Sequence, residues 1–558
     1  MRIFRLIFLL FQLIASSSMS AFAGSLCSGS DRDVLISFKK NILMDTTDIL
    51  SSWMGTECCS GDWEGISCDS QGRVTRFVLQ RPVAHSEMYM KGTLSTSLGS
   101  LVFLETMVVS GMKQMNGPIP DMFSKLTHLS QLILEDNSFE GTIPPSLFHL
   151  SNLTVLSLSG NHLKAQIPLS LWSLKNLQIL NLARNSFSGS LPATLKNFEN
   201  LQNFDLSSNL LSGFLPDFME GHFQNLNFIS LSRNQFSGHI PDSIFKLVKL
   251  QDLALDHNFL EGSLPSFMGS PSLASLSLGS NRLSGVIPSS IKEMKNLWYL
   301  NLSGNSFVGS FPAMEATHLP ALLQVDLSHN NLSLGIIPSW IKDKPLTDVR
   351  LAGCNLRGVL PRFANPNSLT SLDLSDNFLT GGISSFFTGM SSLQMAKLSN
   401  NNLTGSISSI LNNSTSSFME VLDVSRNQIS DTISDFAEGL SLKVLKLGSN
   451  KIKGEISNSI SNLGEIEVFD ISRNEVTGTI PSSLGLLLNL RWLDVSVNLL
   501  TGKIPATLLE IKNLKHANFK ANKLCGEIPQ GRPLNAFKPV AYAHNLCLCG
   551  KPLPQCKA

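Results

Sequence analysis

Charge is scarce in this sequence. Asp, Glu, Lys and Arg make up 15% of the 558 residues, 43 basic against 42 acidic for a formal net charge of +1, where an ordinary soluble domain carries about 25%. That balance excludes a bulk electrostatic pull toward nucleic acid or an acidic membrane. Catalytic signatures are missing as well. No G-x-S-x-G, G-x-G-x-x-G or G-x-x-x-x-G-K-[ST] occurs, and none of the 11 histidines is followed by Glu, which removes H-E-x-x-H. No kinase-like segment is present, so the chain is expected not to be an enzyme and to hold no cofactor and no catalytic or metal residues. Long apolar runs are absent too: nothing after the first residues approaches the roughly 18 that a spanning helix needs.

Those first residues, MRIFRLIFLLFQLIASSSMSAFAG, set Arg2 and Arg5 ahead of an apolar run from Leu6 to Ala15 and close on the triplet Ala21-Phe22-Ala23. The pattern predicts a signal peptide over 1–23, cleaved after Ala23. After Cys556 two residues remain, without a hydrophobic tail or a basic segment. The expectation is a secreted, extracellular chain with no membrane span of its own.

What fills the middle is one template. Aligning LQILNLARNSFSG (177–189), LTSLDLSDNFLTG (369–381) and LRWLDVSVNLLTG (490–502) gives L-x-x-L-x-L-x-x-N-x-L-x-G. Its Asn position recurs at 137, 161, 185, 209, 234, 258, 281, 305, 330, 377, 401, 427, 450, 474, 498 and 522, with Cys354 standing in once, a mean period of about 24. Two degenerate units precede these, around VTRFVLQ and LETMVVSGM. The L-x-L alternation buries both leucines of a short strand and turns the residue between them outward, so the strands stack in parallel. An Asn carries donor and acceptor atoms that satisfy backbone groups left unpaired by the following turn, and stacked repeats therefore make an Asn ladder. Cys354, the ninth and unpaired cysteine, reads as a buried thiol in that ladder rather than a reactive or intermolecular one.

Beyond each Gly comes I-P or L-P, as in GTIPPSL (141–147) and GHIPDSI (238–244), then leucine spacing that favours a short helical turn. L-x-G-x-I-P after the Asn template resembles the plant-specific class of extracellular leucine-rich repeats, over roughly residues 74–530. The resemblance implies an α/β solenoid, a right-handed superhelix with a parallel concave β-sheet, a second short sheet from the I-P segments and helical turns on the convex side. The expected organisation is a 24–73 N-terminal cysteine cap, about 18 repeats over 74–524 and a 525–558 C-terminal cysteine cap.

Exposed ends of such a stack need caps. Four cysteines lie at Cys27, Cys58, Cys59 and Cys68 and four at Cys525, Cys547, Cys549 and Cys556. In an exported chain each cluster reads as two disulfides with three connectivities open, zinc being the runner-up. The first cap resembles the plant N-terminal cap, with a helix, Trp53, C-C, Trp63 and a final Cys. The second resembles the ending of polygalacturonase-inhibiting proteins. The resemblance implies the pairs Cys27–Cys58, Cys59–Cys68, Cys525–Cys547 and Cys549–Cys556.

Function is then expected on the outward strand positions, four residues before each ladder Asn. Through the later repeats these are Asp326, Arg350, Asp373, Lys397, Asp423, Lys446, Asp470 and Asp494. They read either as a charged docking strip or as solvated members of a common L-D-L-S pattern. Phe228, Tyr299 and Trp492 stand two positions earlier on the same side, with Trp298 beside Tyr299, as binding anchors or as partly buried packing. Sequons fall at Asn152, Asn301, Asn331, Asn402, Asn412 and Asn413, and a glycan at Asn301 would stand on the concave face. No step between repeats exceeds 26 residues, so no island interrupts them. Two functions are expected: a secreted recognition protein in plant defence or signalling, binding a protein, peptide or cell-wall polysaccharide, or a receptor-like ectodomain or soluble co-receptor acting with a receptor kinase.

Overall fold

In the computed structural model, residues 26–192, 195, 198–218, 223–266, 270–315, 317–412, 418–433 and 435–556 are described. The expected leader over 1–23 and the sequon Asn413 lie outside them. The chain divides into two units, Met1–Phe236 and Ser237–Ala558.

The first unit opens on the helix Gly29–Lys40, whose Leu35 and Phe38 are buried. Phe38 meets Trp53 and the edge of Phe77, while the Trp53 and Trp63 rings stack 5.5 Å apart. Each indole N–H donates to a backbone carbonyl, Trp53 to Glu64 and Trp63 to Met54, so the two large rings are buried without orphaned donors. Asp31, also buried, receives two hydrogen bonds from the Arg73 guanidinium at 3.0 and 2.8 Å and a third from the Val74 N–H. This cap carries the strand Ile66–Cys68, antiparallel to Val74–Gln80. From there the pairing turns parallel through Thr106–Ser110, Gln131–Ile133, Val155–Ser157, Ile179–Asn181, Asn203–Asp205 and Phe228–Ser230. Both degenerate repeats are thus ladder strands.

The second unit carries the same ladder from Asp252–Ala254 to His516–Asn518, each strand parallel to its chain neighbour. Middle residues such as Leu276, Leu300, Leu372, Leu445 and Leu493 are fully buried while the flanking two stay partly exposed, as the period of two requires. Prolines of the I-P segments cap five-residue 3-10 turns, as Pro241, Pro288, Pro481 and Pro505 do.

The ladder asparagines bond as a set. Asn498 Nδ2 donates to the carbonyls of Ile471, Val495 and Ser496, and its Oδ1 accepts the Val476 N–H at 3.0 Å. One side chain so ties its own turn to the repeat before. Asn545, inside the C-terminal cap, extends the ladder by one rung: it donates to Phe519 and Tyr542 and accepts from Leu524. A second Asn row, not anticipated from the template, sits in the turns ahead of the strands. Asn152, Asn176, Asn296 and Asn489 each donate to a carbonyl 25 residues back.

The second sheet is made not by the I-P segments, as the resemblance implied, but by the x-L-x-G-x residues just before them. In the second unit it runs through Phe259–Ser263, Arg282–Val286, Ser306–Gly309 and Asn331–Leu332, then begins again at Arg357–Val359, Phe378–Gly382 and Asn402–Thr404. The break falls at Cys354. Its thiol donates to Leu327 O at 3.2 Å but offers no acceptor comparable to an Asn Oδ1 for the strand before it. That strand also holds one extra residue, Gly335 following Leu332 by three positions where Gly309 follows Phe307 by two. The Asn355 amide partly compensates by donating to Leu332 O at 3.0 Å.

The structure pairs Cys27–Cys58, Cys59–Cys68, Cys525–Cys547 and Cys549–Cys556. Among the described residues, the one His, Cys, Asp or Glu cluster tight enough for a metal is Cys27, Cys58 and Cys59, whose sulfurs are spent in disulfides. No described helix is long and apolar enough to cross a membrane.

Candidate functional site

The outward side chains of the second unit's ladder form parallel rows, because in-register strands place equivalent positions side by side. The row four before the Asn ladder alternates in sign from Asp373 through Lys397, Asp423 and Lys446 to Asp470. Lys397 lies 3.8 Å from Asp373 and Lys446 3.8 Å from Asp423. Arg350 instead turns to Asp348 on its own strand, with two contacts at 3.0 and 2.8 Å. The aspartates also bind backbone. Asp326, Asp373, Asp423, Asp470 and Asp494 each accept the N–H two residues on, from Ser328, Ser375, Ser425, Ser472 and Ser496. L-D-L-S is therefore an Asx turn that closes the strand wherever Asp stands there, and Asp373 and Asp423 are each also paired with a lysine of the same strip. Burial holds the Asp470 carboxyl above the usual carboxylate range, with Asp494 adding to the effect.

The four aromatic candidates separate. Phe228 is half-buried in the first unit. Trp298 and Tyr299 are half-buried in the second, with ring centroids 5.7 Å apart, and burial pushes the Tyr299 phenol up. Trp492 is 43% exposed and lies flat on His516, 3.6 Å between centroids.

Trp492 ends a row that sequence reasoning missed. Met395, Val421, Val444, Val468, Trp492 and His516 are register partners on successive strands, an apolar track beside the alternating charges. Its signal is present in VLD, VLK and VFD, where the charged letter masks the valine two positions before it. A third row was missed as well: the residue before each ladder Asn sits at positive φ, including Arg426 at 54° and Arg473 at 55°. The left-handed turn throws these side chains outward, and both arginines are exposed. Neither is ion-paired among the described residues.

The rows meet at a shallow depression of about 500 Å³ lined by Asp423, Lys446, Asp470 and Trp492 from the sequence candidates, with Asp376, Asn400, Arg426, Ser449 and Arg473. Three carboxylates and three cations face it beside an indole. Phe228, Trp298, Tyr299, Asp326, Arg350, Asp373, Lys397 and Asp494 do not line it. The sequons distribute otherwise. Asn301 is half-buried on the strand face, its Oδ1 held by the Ser303 N–H and hydroxyl at 3.0 and 2.7 Å. Asn152 and Asn412 are exposed in turns, and Asn331 and Asn402 are exposed on the second sheet.

Comparison with known proteins follows the same lines. The leucine rich repeat N-terminal domain matches residues 28–69, and leucine rich repeats match 265–307 and eight segments from 128–150 to 441–463. The DNA damage-repair/toleration protein DRT100 of Arabidopsis thaliana is 34% identical over 120 residues, 20% of this chain and 32% of that protein. The polygalacturonase inhibitor of Vitis vinifera is 30% identical over 109 residues, 19% of this chain and 30% of the inhibitor. The chain thus spans about a third of the length of these curated relatives. Among solved structures, PEPR1 in its complex with AtPEP1 superposes with a TM-score of 0.65 at 28% identity, over 90% of this chain and 80% of that one. The Arabidopsis receptor kinase HAESA ectodomain, solved with an IDA peptide, gives 0.58 at 28% identity, over 93% of this chain and 98% of that one. The chain is a leucine-rich repeat protein of the plant type, similar to polygalacturonase inhibitors and to the ectodomains of plant receptor kinases.

Proposed function

We propose that this chain is an exported, non-enzymatic recognition protein whose strand face takes an extended segment of a peptide or protein partner, across the repeats from Met395 to His516. The observation that carries the reading is the juxtaposition of three rows: the apolar track ending in Trp492, the charges alternating from Lys397 to Asp470, and the exposed pair Arg426 and Arg473. A partner with apolar side chains along one edge and charges of both signs along the other matches them. The similarity to PEPR1 and HAESA, both solved with peptides, supports a peptide as the partner, and HAESA solved with IDA and the co-receptor SERK1 supports a receptor kinase as a further member of the complex. A wall polysaccharide asks for several open aromatic faces, and of the four aromatic candidates only Trp492 is exposed. The second reading, occlusion of a secreted enzyme, is favoured by the pairing of the four C-terminal cysteines, which follows the polygalacturonase-inhibitor ending.

The test is affinity capture of peptides and proteins from plant extracellular fluid on the immobilised chain, followed by binding measurements with each captured species. Trp492→Ala and the pair Arg426→Glu with Arg473→Glu should each weaken binding by at least about tenfold, the scale of an interface anchor. A captured partner that binds both variants as tightly as the parent chain would sink the placement. A captured enzyme that is inhibited would select the second reading.

A further inference from the structure

The second unit carries an unusual amount of exposed apolar surface away from the strand face. Along its second sheet Phe259, Val286, Val308, Val359 and Phe378 are all exposed, Val359 by 69%, and Ile336, in the bend where that sheet is interrupted, is exposed by 72%. The Arg282 and Arg357 guanidinium groups lie over the Phe259 and Phe378 rings at 4.8 and 5.1 Å, which leaves the aliphatic side chains between them facing water. An apolar patch of this extent on a soluble protein calls for a cover.

Two sequons stand in it. Asn331 begins the sequence Asn-Leu-Ser and Asn402 the sequence Asn-Leu-Thr. Register places Val286 against Val308 and Val308 against Asn331. In the neighbouring sheet Val359 lies against Thr380 and Thr380 against Asn402. Each sequon asparagine therefore ends a cross-strand row that starts from an exposed valine. Both asparagines are exposed, and neither side-chain amide is hydrogen-bonded among the described residues. Asn301 differs on every count: half-buried, its carbonyl held twice by Ser303, its Nδ2 3.4 Å from the Ser277 hydroxyl. A Cβ at the neighbouring Gly279 would already come within 2.9 Å of that amide.

We infer that Asn331 and Asn402 carry N-linked oligosaccharides whose first sugars lie over this apolar patch. In the attachment, Asn Nδ2 gives up a proton and bonds to the anomeric carbon of a lipid-linked oligosaccharide, as the bond from that carbon to the lipid pyrophosphate breaks. The C–H faces of the inner sugars then rest on Val308, Ile336 and Phe378 while their hydroxyls face water. The glycans shield the second sheet and leave the strand face with its depression open. The inference rests on export, which is part of the proposed function, but not on the partner or where it binds.

The full chain is expressed in plant cells behind a leader of established competence, so that entry to the secretory route is not in question, and intact glycopeptides are mapped by mass spectrometry. Glycopeptides at Asn331 and Asn402 are the expected result. Secreted chain with both positions bare overturns the inference. The cover is read separately: Asn331→Gln with Asn402→Gln should bind several-fold more of an apolar fluorescent dye than the parent, and adding Ile336→Ser with Val359→Ser should return it toward the parent level. A double variant that binds no more dye than the parent refutes the covering role, and an unchanged melting curve shows that dye uptake is not unfolding.

Discussion

Asp205 occupies an outward strand position in the first unit, where Asn181 stands one repeat earlier. Its Oδ1 accepts the Ser207 N–H at 2.9 Å, yet burial drives its carboxyl above the usual carboxylate range. The folded chain thus holds that proton more tightly than the unfolded chain. The stability it contributes is complete below its unfolded value of about 4 and is lost as pH rises through the folded one. Asp205→Asn keeps the acceptor and removes the charge. Urea midpoints should show the variant more stable than the parent at pH 7.5, with the gap closing toward pH 4; a gap that widens on acidification would contradict this. Cys354 is the other telling residue. Burial pushes its thiol up to about 12, so at pH 8 only about one thiol in ten thousand is ionised. A disulfide reagent should leave it untouched in the native chain and titrate one thiol in denaturant. Its burial was legible from its place in the template. The break in the second sheet was not, because it shows only once neighbouring repeats are set in register.

Strands, turns and ladders were the most legible level, since L-x-L alternation and a recurring Asn each translate into one physical demand. Less legible were features that exist only between repeats: the apolar track from Met395 to Trp492, the outward arginines at positive φ, and the second Asn row reaching 25 residues back. No single repeat contains them, and each needs the register of neighbouring strands before it can be seen. The charged strip shows the reverse. Its letters are plain in the sequence, but each Asp there accepts the Ser N–H two residues on, and Asp373 and Asp423 also meet a lysine. Exposed pairs of that kind add little stability, about 0–1 kcal/mol, whereas the buried asparagines matter more. Asn498→Ala removes three donated bonds and one acceptor. The expected cost is on the order of 3 kcal/mol, together with faster hydrogen exchange at the Val476 amide. Exchange unchanged at Val476 would show that the ladder does not hold the preceding strand.

At the scale of the whole molecule the two ends are built differently. The first is an aromatic cluster with a buried Asp31–Arg73 ion pair, the last a short polypeptide wrap. The Phe519 and Ala521 N–H groups donate to Ala541 and Ala543 at 2.8 and 2.9 Å, and Tyr542 stacks on Phe519. The Cys525–Cys547 bridge spans 22 residues and holds this wrap against the final strands. Replacing both cysteines by Ser should cost about 3 kcal/mol. The loss should appear first as exchange at Phe519 and Ala521, while the amides of residues 26–73 in the N-terminal cap keep their protection. Uniform loss across the chain would mean that the ends are coupled rather than nearest-neighbour in character.

The ladder bond pattern has one more consequence. Every Asn reaches into its own turn and one repeat back, and never further, so gaining or losing a whole unit of about 24 residues returns each remaining asparagine to an identical set of partners. An extra residue between a ladder Asn and its Gly leaves that bond set intact, as Asn330 shows, and falls instead where the second sheet ends. Gene duplication and unequal crossing-over can therefore alter this protein's length in one step at small energetic cost. Length becomes an easily inherited variable, and recognition surface is gained or lost in whole repeats.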